Sequence, residues 1–165
     1  MRHAHRLVVD REGSAAAEMA LVLPLLLALM FGSFELGNFF MSEHAVQKAV
    51  RDASRYAARL PMTDYPSCTP TAATQTLIQR VARTGDPSGT APLRLAAWTD
   101  DAMTTVTMAC DTSGTYTGLY TDFPNGVPVI TVSASVPYPS LFGAVGLGTT
   151  SLTLNAVSQA AVFGA

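Results

Sequence analysis

Residues 11–35 read Arg-Glu-Gly-Ser-Ala-Ala-Ala-Glu-Met-Ala-Leu-Val-Leu-Pro-Leu-Leu-Leu-Ala-Leu-Met-Phe-Gly-Ser-Phe-Glu. A charged leader ends at Gly13, and an almost uninterrupted apolar run begins at once, with a single carboxylate, Glu18, inside it. From Met19 to Phe34 there is no charged residue. About 20 such residues, rising 1.5 Å each in a helix, cross the hydrocarbon core of a bilayer. The spacing therefore predicts a membrane-spanning helix over residues 14–35. An acid at the centre of such a helix costs roughly 2.5 kcal/mol or more, so a lone Glu18 needs a partner. The other reading places Glu18 at the membrane interface near the helix N-terminus, where an acid is tolerated.

The leader, residues 1–13, carries Arg2, Arg6 and Arg11 with His3 and His5. Arginines before the span, and none after it until Arg51, put the N-terminus in the cytoplasm by the positive-inside tendency. A secretory signal peptide would have a shorter apolar core ending in a small-residue cleavage site. Here the segment continues through Gly32, Glu35 and Gly37 into more helix, which favours an anchor with Glu35 at its outer edge. Gly32 and Gly37 fit close helix packing and ordinary spanning-helix glycines equally well.

Residues 36–60 contain no proline and place Leu36, Phe39, Phe40, Val46, Val50, Ala53, Ala57 and Leu60 at helical spacing. The opposite face carries Glu43, Gln47, Lys48, Arg51, Asp52, Arg55 and Arg59. Pairs at Lys48–Asp52 and Asp52–Arg55 would support that surface. Pro61 ends the run. One helix from Ser14 to Leu60, about 70 Å long at 1.5 Å per residue, is expected, lipophilic first and amphipathic over 36–60. Pro24 is a candidate kink.

Residues 61–165 are expected to form an extracytoplasmic α+β domain. A loop over 61–70 precedes a short helix at Ala72–Thr84, with Ala73, Leu77, Ile78 and Val81 as its apolar stripe and Gly85-Asp86-Pro87 as its end. The period then changes to two. Thr104–Cys110 sets Val106, Met108 and Cys110 on one face; Val129–Val136 does the same with Ile130, Val132, Ala134 and Val136; Ser151–Val162 follows with Leu152, Leu154, Ala156, Ala160 and Val162. Three strands apolar on one face predict an antiparallel sheet covering the amphipathic half of the long helix, with Arg94–Thr99 as a weaker fourth strand. Thr112–Gly126 and Pro137–Gly148 read as loops. In the second, Tyr138, Leu141, Phe142, Val145 and Leu147 belong either to the core or to a subunit contact, and their density favours the core.

The chain has 165 residues, 13% of them charged and 48% hydrophobic, with a net charge of −2. Loss of the leader, with three arginines and two acids, would take the net charge to −3. No basic patch outside the leader argues for nucleic-acid binding. Two cysteines, Cys68 and Cys110, allow one intramolecular pairing, and outside the cytoplasm they would form a disulfide. Closing a loop of about 43 residues would stabilise the domain by about 4 kcal/mol in the chain-entropy account. Two unrelated buried thiols are the alternative. No histidine or further cysteine stands at metal-ligand spacing, and His3 and His5 lack further ligands, so no metal or cofactor is expected. His44 lies near Asp52 in sequence, but no Gly-x-Ser-x-Gly or comparable nucleophile motif accompanies it, and no catalytic residue is expected.

The run Gly-Ser-Ala-Ala-Ala-Glu-Met-Ala-Leu-Val-Leu-Pro-Leu-Leu-Leu from Gly13, followed by Phe-Gly-Ser-Phe-Glu-Leu-Gly, resembles the TadE-like family, minor pilins or pseudopilins of the tight-adherence (Tad) type IV pilus system of bacteria. So do Ala-Val-Arg-Asp-Ala-Ser-Arg-Tyr-Ala-Ala at 49–58 and Val-Pro-Tyr-Pro-Ser-Leu-Phe at 136–142. Residues 61–126 carry no part of the resemblance, and Met19 stands where family members usually have Phe or Tyr. The resemblance implies a pilin-like α+β fold and a prepilin-peptidase cut between Gly13 and Ser14. It also implies that Glu18, then the fifth residue, pairs with the free amine of a neighbouring subunit during assembly. Implied partners are the prepilin peptidase, other Tad pilins and minor pilins, the inner-membrane assembly platform and the bilayer, with no cofactor and no enzymatic role. The chain would be a single-pass bacterial inner-membrane protein, N-terminus cytoplasmic and C-terminal domain periplasmic or extracellular, used in pilus assembly and surface adhesion. Two rivals are an unprocessed single-pass protein with an extracytoplasmic ligand-binding domain, and a proton relay through Glu18 and Glu35. Those two carboxylates would be about 25 Å apart on one helix, too far to cooperate directly.

Overall fold

Leucine and alanine dominate residues 15–29, and strong helix formers in that density give an unbroken α-helix, α1, from Glu12 to Ala57 in the computed structural model. The structure describes residues 12–114, 118–120, 126–144, 146 and 152–164. The leader with Arg2, Arg6, Arg11, His3 and His5, and Val145 and Leu147 of the late loop, lie outside the described residues. Helix assignment runs through Pro24, whose missing N–H leaves the Ala20 carbonyl without its usual i+4 donor. Two compact units divide the chain, one up to Asn38 and one from Phe39 onward. In the first unit the helix is apolar on every side, with Leu21 80% and Leu25 62% exposed.

The second unit contains the rest of α1, a second helix, a single helical turn at Leu141–Ala144 inside the expected loop, and a three-stranded antiparallel sheet, the α+β arrangement the two periodicities imply. Strands β1 (Thr104–Asp111), β2 (Val127–Pro137) and β3 (Thr153–Ala161) lie in that order. Register sets Val106 opposite Val132 and Met108 opposite Ile130, then Ala134 opposite Ala156 and Val136 opposite Leu154. The inward face is therefore the one read from alternation, except that Leu152 lies before β3 and is 50% exposed. It packs with Val46, Ala49, Val50, Ala53 and Ala57 of α1 in one core. Small alanines on that helix face let the sheet approach closely, and the Ser54 and Ser158 hydroxyls meet at 2.8 Å across the contact.

The second helix, α2 (Ala72–Thr84), has the predicted bounds because both ends carry local stop signals. Thr71 caps it, its side chain accepting from the Thr74 N–H, and Gly85 closes it in the left-handed conformation with its N–H on the Val81 carbonyl. Its buried face differs from the expected stripe: Thr74, Ile78, Val81 and Ala82 point inward, Leu77 is half-buried and Ala73 is exposed. Thr74 can be buried because its hydroxyl pairs with that of Thr71 at 2.7 Å.

Three further expectations are corrected. Helix α1 ends at Ala57 rather than Leu60, its exit tightened by bonds from the Arg59 and Leu60 N–H groups to the Tyr56 and Ala57 carbonyls. Remote groups complete that end, because the Tyr65 hydroxyl donates to the Ala57 carbonyl at 2.6 Å and the Phe163 N–H to that of Ala58 at 2.9 Å. Burial, with Asp64 and Tyr56 adding to it, pushes the Tyr65 hydroxyl well above the ordinary phenol range, so it stays a donor. Asp52 pairs with Arg94 at 2.9 Å, not with Lys48 or Arg55. Residues 94–99 are turns rather than a fourth strand, and the turn lowers Trp98, 0% exposed, into the core. Arg94 is held there twice, since its own N–H also bonds the Arg83 carbonyl. In the late loop, Tyr138 packs against the core while Leu141 is 47% exposed, so core burial holds for only part of that segment.

The two cysteines are joined: Cys68 and Cys110 form a disulfide with Cα atoms 5.9 Å apart, tying the turn before α2 to β1. Ser67 and Cys68 both have positive φ, 53° and 59°, a conformation that non-glycine residues hold only under outside constraint.

Three outcomes follow for stability. Trp98→Ala should cost about 3–5 kcal/mol in denaturant unfolding, as expected for emptying a large fully buried site. Cys68→Ala with Cys110→Ala should cost about 2–5 kcal/mol, and reduction of the parent chain should reproduce the loss. Asp86 accepts hydrogen bonds from Ser88 and Thr90, which hold its carboxyl down to about 2. A carboxyl depressed in the folded state adds stability above the ordinary aspartate range near ~4 and loses it as pH falls toward ~2. Asp86→Asn should flatten the pH dependence of the melting temperature in that window and leave it elsewhere unchanged.

Candidate functional site

The first turns of α1 bring the predicted cleavage and assembly residues together by helical spacing alone. Ser14 and Glu18 lie four residues apart on one face, and the Ser14 hydroxyl donates to a Glu18 carboxylate oxygen at 3.3 Å. Both side chains are exposed. Sequence reading assigned Ser14 only a backbone role; the i, i+4 spacing was the signal for this side-chain contact. A Cβ built on Gly13 would meet nothing within 4 Å, so among the described residues nothing requires glycine there. Gly32 and Gly37 are equally open.

Around this site the helix surface is hydrophobic throughout. The most apolar 18-residue window has a mean hydropathy of 2.1, and none of it is buried within the chain. This is one helix long and apolar enough to cross a membrane. A helix apolar on all sides needs either a protein interior or a bilayer around it, and the described residues supply no interior for it. A carboxylate in such a surface, with one weak intrahelical hydroxyl contact, still has acceptor capacity for a cation.

Among the described residues there is no group of three or more His, Cys, Asp and Glu side chains able to hold a metal ion. His44 is exposed on α1. Two open hollows lie on the second unit. One of about 470 Å³ is lined by Ala102, Met103, Thr105, Ser133, Ser135 and Asn155 among others, and one of about 310 Å³ by Gln47, Arg51 and residues 155–158. Neither lining contains an acid, a histidine or a cysteine, so neither offers a general base or an activated nucleophile. The disulfide at Cys68 and Cys110 belongs to the architecture of the domain and is remote in sequence from Gly13, Ser14 and Glu18.

No curated protein and no solved structure matches the chain. Residues 13–55 match the family described as TadE-like protein, a stretch that begins at Gly13 and ends two residues before α1 does. Over those residues the carboxylate-bearing N-terminal helix of this chain is similar to the TadE-like family.

Proposed function

We propose that this chain is a minor pilin or pseudopilin of a Tad-type pilus, cut between Gly13 and Ser14 by a prepilin peptidase and needed for pilus assembly and surface adhesion. The observation that carries this reading is the TadE-like match over residues 13–55, because it begins at the proposed cleavage residue and spans the uncovered apolar helix with Glu18 in it. Gly13 suits a peptidase because no side chain crowds the scissile bond, and its open surroundings leave it accessible. The cut frees the α-amino group of Ser14, which is cationic near neutral pH. Glu18 of one subunit and the amine of a neighbour then cancel two charges that are each costly in lipid, so docking is favoured over dispersal in the bilayer.

In this reading the helix anchors the protein in the bacterial inner membrane with the leader in the cytoplasm. The disulfide-closed α+β domain lies in the periplasm or outside and makes subunit contacts, and the protein has no catalytic role. Its partners are the peptidase, other Tad pilins and the assembly platform.

The mature N-terminus tests this reading. After co-expression with a prepilin peptidase, N-terminal sequencing and intact mass should give a chain beginning at Ser14, and Gly13→Arg should abolish the cut. Glu18→Ala should still be cut to a large extent but be missing from isolated pili. A parent chain still beginning at Met1 would overturn processing and leave a membrane-anchored binding domain as the better account.

A further inference from the structure

We infer that the end of the α+β domain where α1 enters it is a lipid-contacting collar lying in the headgroup layer of the membrane. The inference rests on the anchor reading above and adds a second membrane contact, made by the folded domain itself.

Phe39 is the first residue of the second unit, and the Tyr138 ring packs edge-on against it with centroids 5.2 Å apart. That contact fixes Tyr138 at the entry end of the domain. The Tyr138 N–H donates to the Leu152 carbonyl at 2.8 Å, so Leu152 belongs to the same end. There the apolar side chains turn outward: Phe40 is 50% exposed, Met41 75%, Leu141 47% and Leu152 50%. An apolar grouping of this kind on a domain surface marks a contact surface.

Its composition and distance from the span identify the occupant. Residues 36–42 and 137–152 contain no charged side chain, and the first charge on α1 after Glu35 is Glu43. A protein-docking rim usually carries charge, whereas aromatic and aliphatic side chains without charge suit the boundary between acyl chains and headgroups. Phe39 follows Glu35 by four residues, about 6 Å along a helix. The headgroup region on each side of the hydrocarbon core is about 5–8 Å deep. A domain entered at Phe39 therefore begins at headgroup depth, and the side chains at that end meet lipid before water.

The test uses the full chain in phosphatidylcholine vesicles whose acyl chains are brominated near the headgroup end, which quench nearby tryptophan. The native Trp98 is fully buried, so the parent chain sets the baseline. Leu141→Trp and Leu152→Trp, both at half-exposed sites that tolerate a large side chain, should lose emission to the brominated lipid. Phe163→Trp should not, because its backbone bonds Ala58, 19 residues along α1 from Phe39. Leu27→Trp, in the spanning segment, reports the anchor itself. Quenching at Leu27→Trp with none at Leu141→Trp and Leu152→Trp would overturn the collar and leave the anchor intact. No quenching at Leu27→Trp would overturn the anchor reading, and the collar with it. Quenching at Phe163→Trp equal to that at Leu141→Trp would also overturn the collar, because the domain would then lie flat on the membrane. Emission at Leu141→Trp that ignores bromine but changes with the protein-to-lipid ratio would assign the surface to a second copy instead.

Discussion

A helix that is hydrophobic on every side has no stable place in water, and this constraint governs the rest of the protein. None of the most apolar window of α1 is covered by the chain itself. In the proposed role, lipid and the helices of other subunits would cover it, and the charge at Glu18 is tolerated only where a counter-charge or an interface is provided. Farther along the same helix the requirement changes. From Val46 to Ala57 only one face is apolar, and the domain folds onto that face. A single continuous element thus serves two environments, and the change of pattern near Phe39 separates them.

The folded unit is small and holds itself together through a few long-range contacts. Trp98 fills the core from a turn rather than from a helix or strand. At the end of α1 the Ala57 carbonyl takes the Tyr65 hydroxyl beside the local Leu60 N–H, and the Ala58 carbonyl takes the Phe163 N–H. Gly164 packs so tightly on the helix exit that a Cβ there would fall 2.1 Å from the Leu60 carbonyl oxygen, which explains the glycine without any special backbone angle. The Cys68–Cys110 bond holds the strained turn before α2 against β1. These contacts tie the C-terminal residues, the disulfide turn and the exit of α1 into one core.

Function and fold divide along the same helix. The residues with candidate chemistry, Gly13, Ser14 and Glu18, need only a helix N-terminus and an apolar setting, and they are exposed. The two hollows described on the α+β domain are lined by no acid and no histidine. The proposed role as a pilus subunit would use this division, with the helix as the docking element and the domain supplying shape and contact.

Local pattern alone decided the element types and most of their limits. Alternation in Val129–Val136 reports which strand face is apolar; Thr71 and Gly85 punctuate α2 at both ends; and two cysteines leave one pairing. The run from Gly13 and its lone carboxylate were equally plain, since apolar length and charge need no partner to be read. Only tertiary structure decided where α1 stops, which way α2 is rotated, that Asp52 pairs with Arg94, and that residues 94–99 form a turn delivering Trp98 rather than a strand. The physical reason is common to all four. Each depends on which remote group arrives to fill a site or satisfy a polar atom, and sequence periodicity records the polarity of a face but not the identity of what meets it.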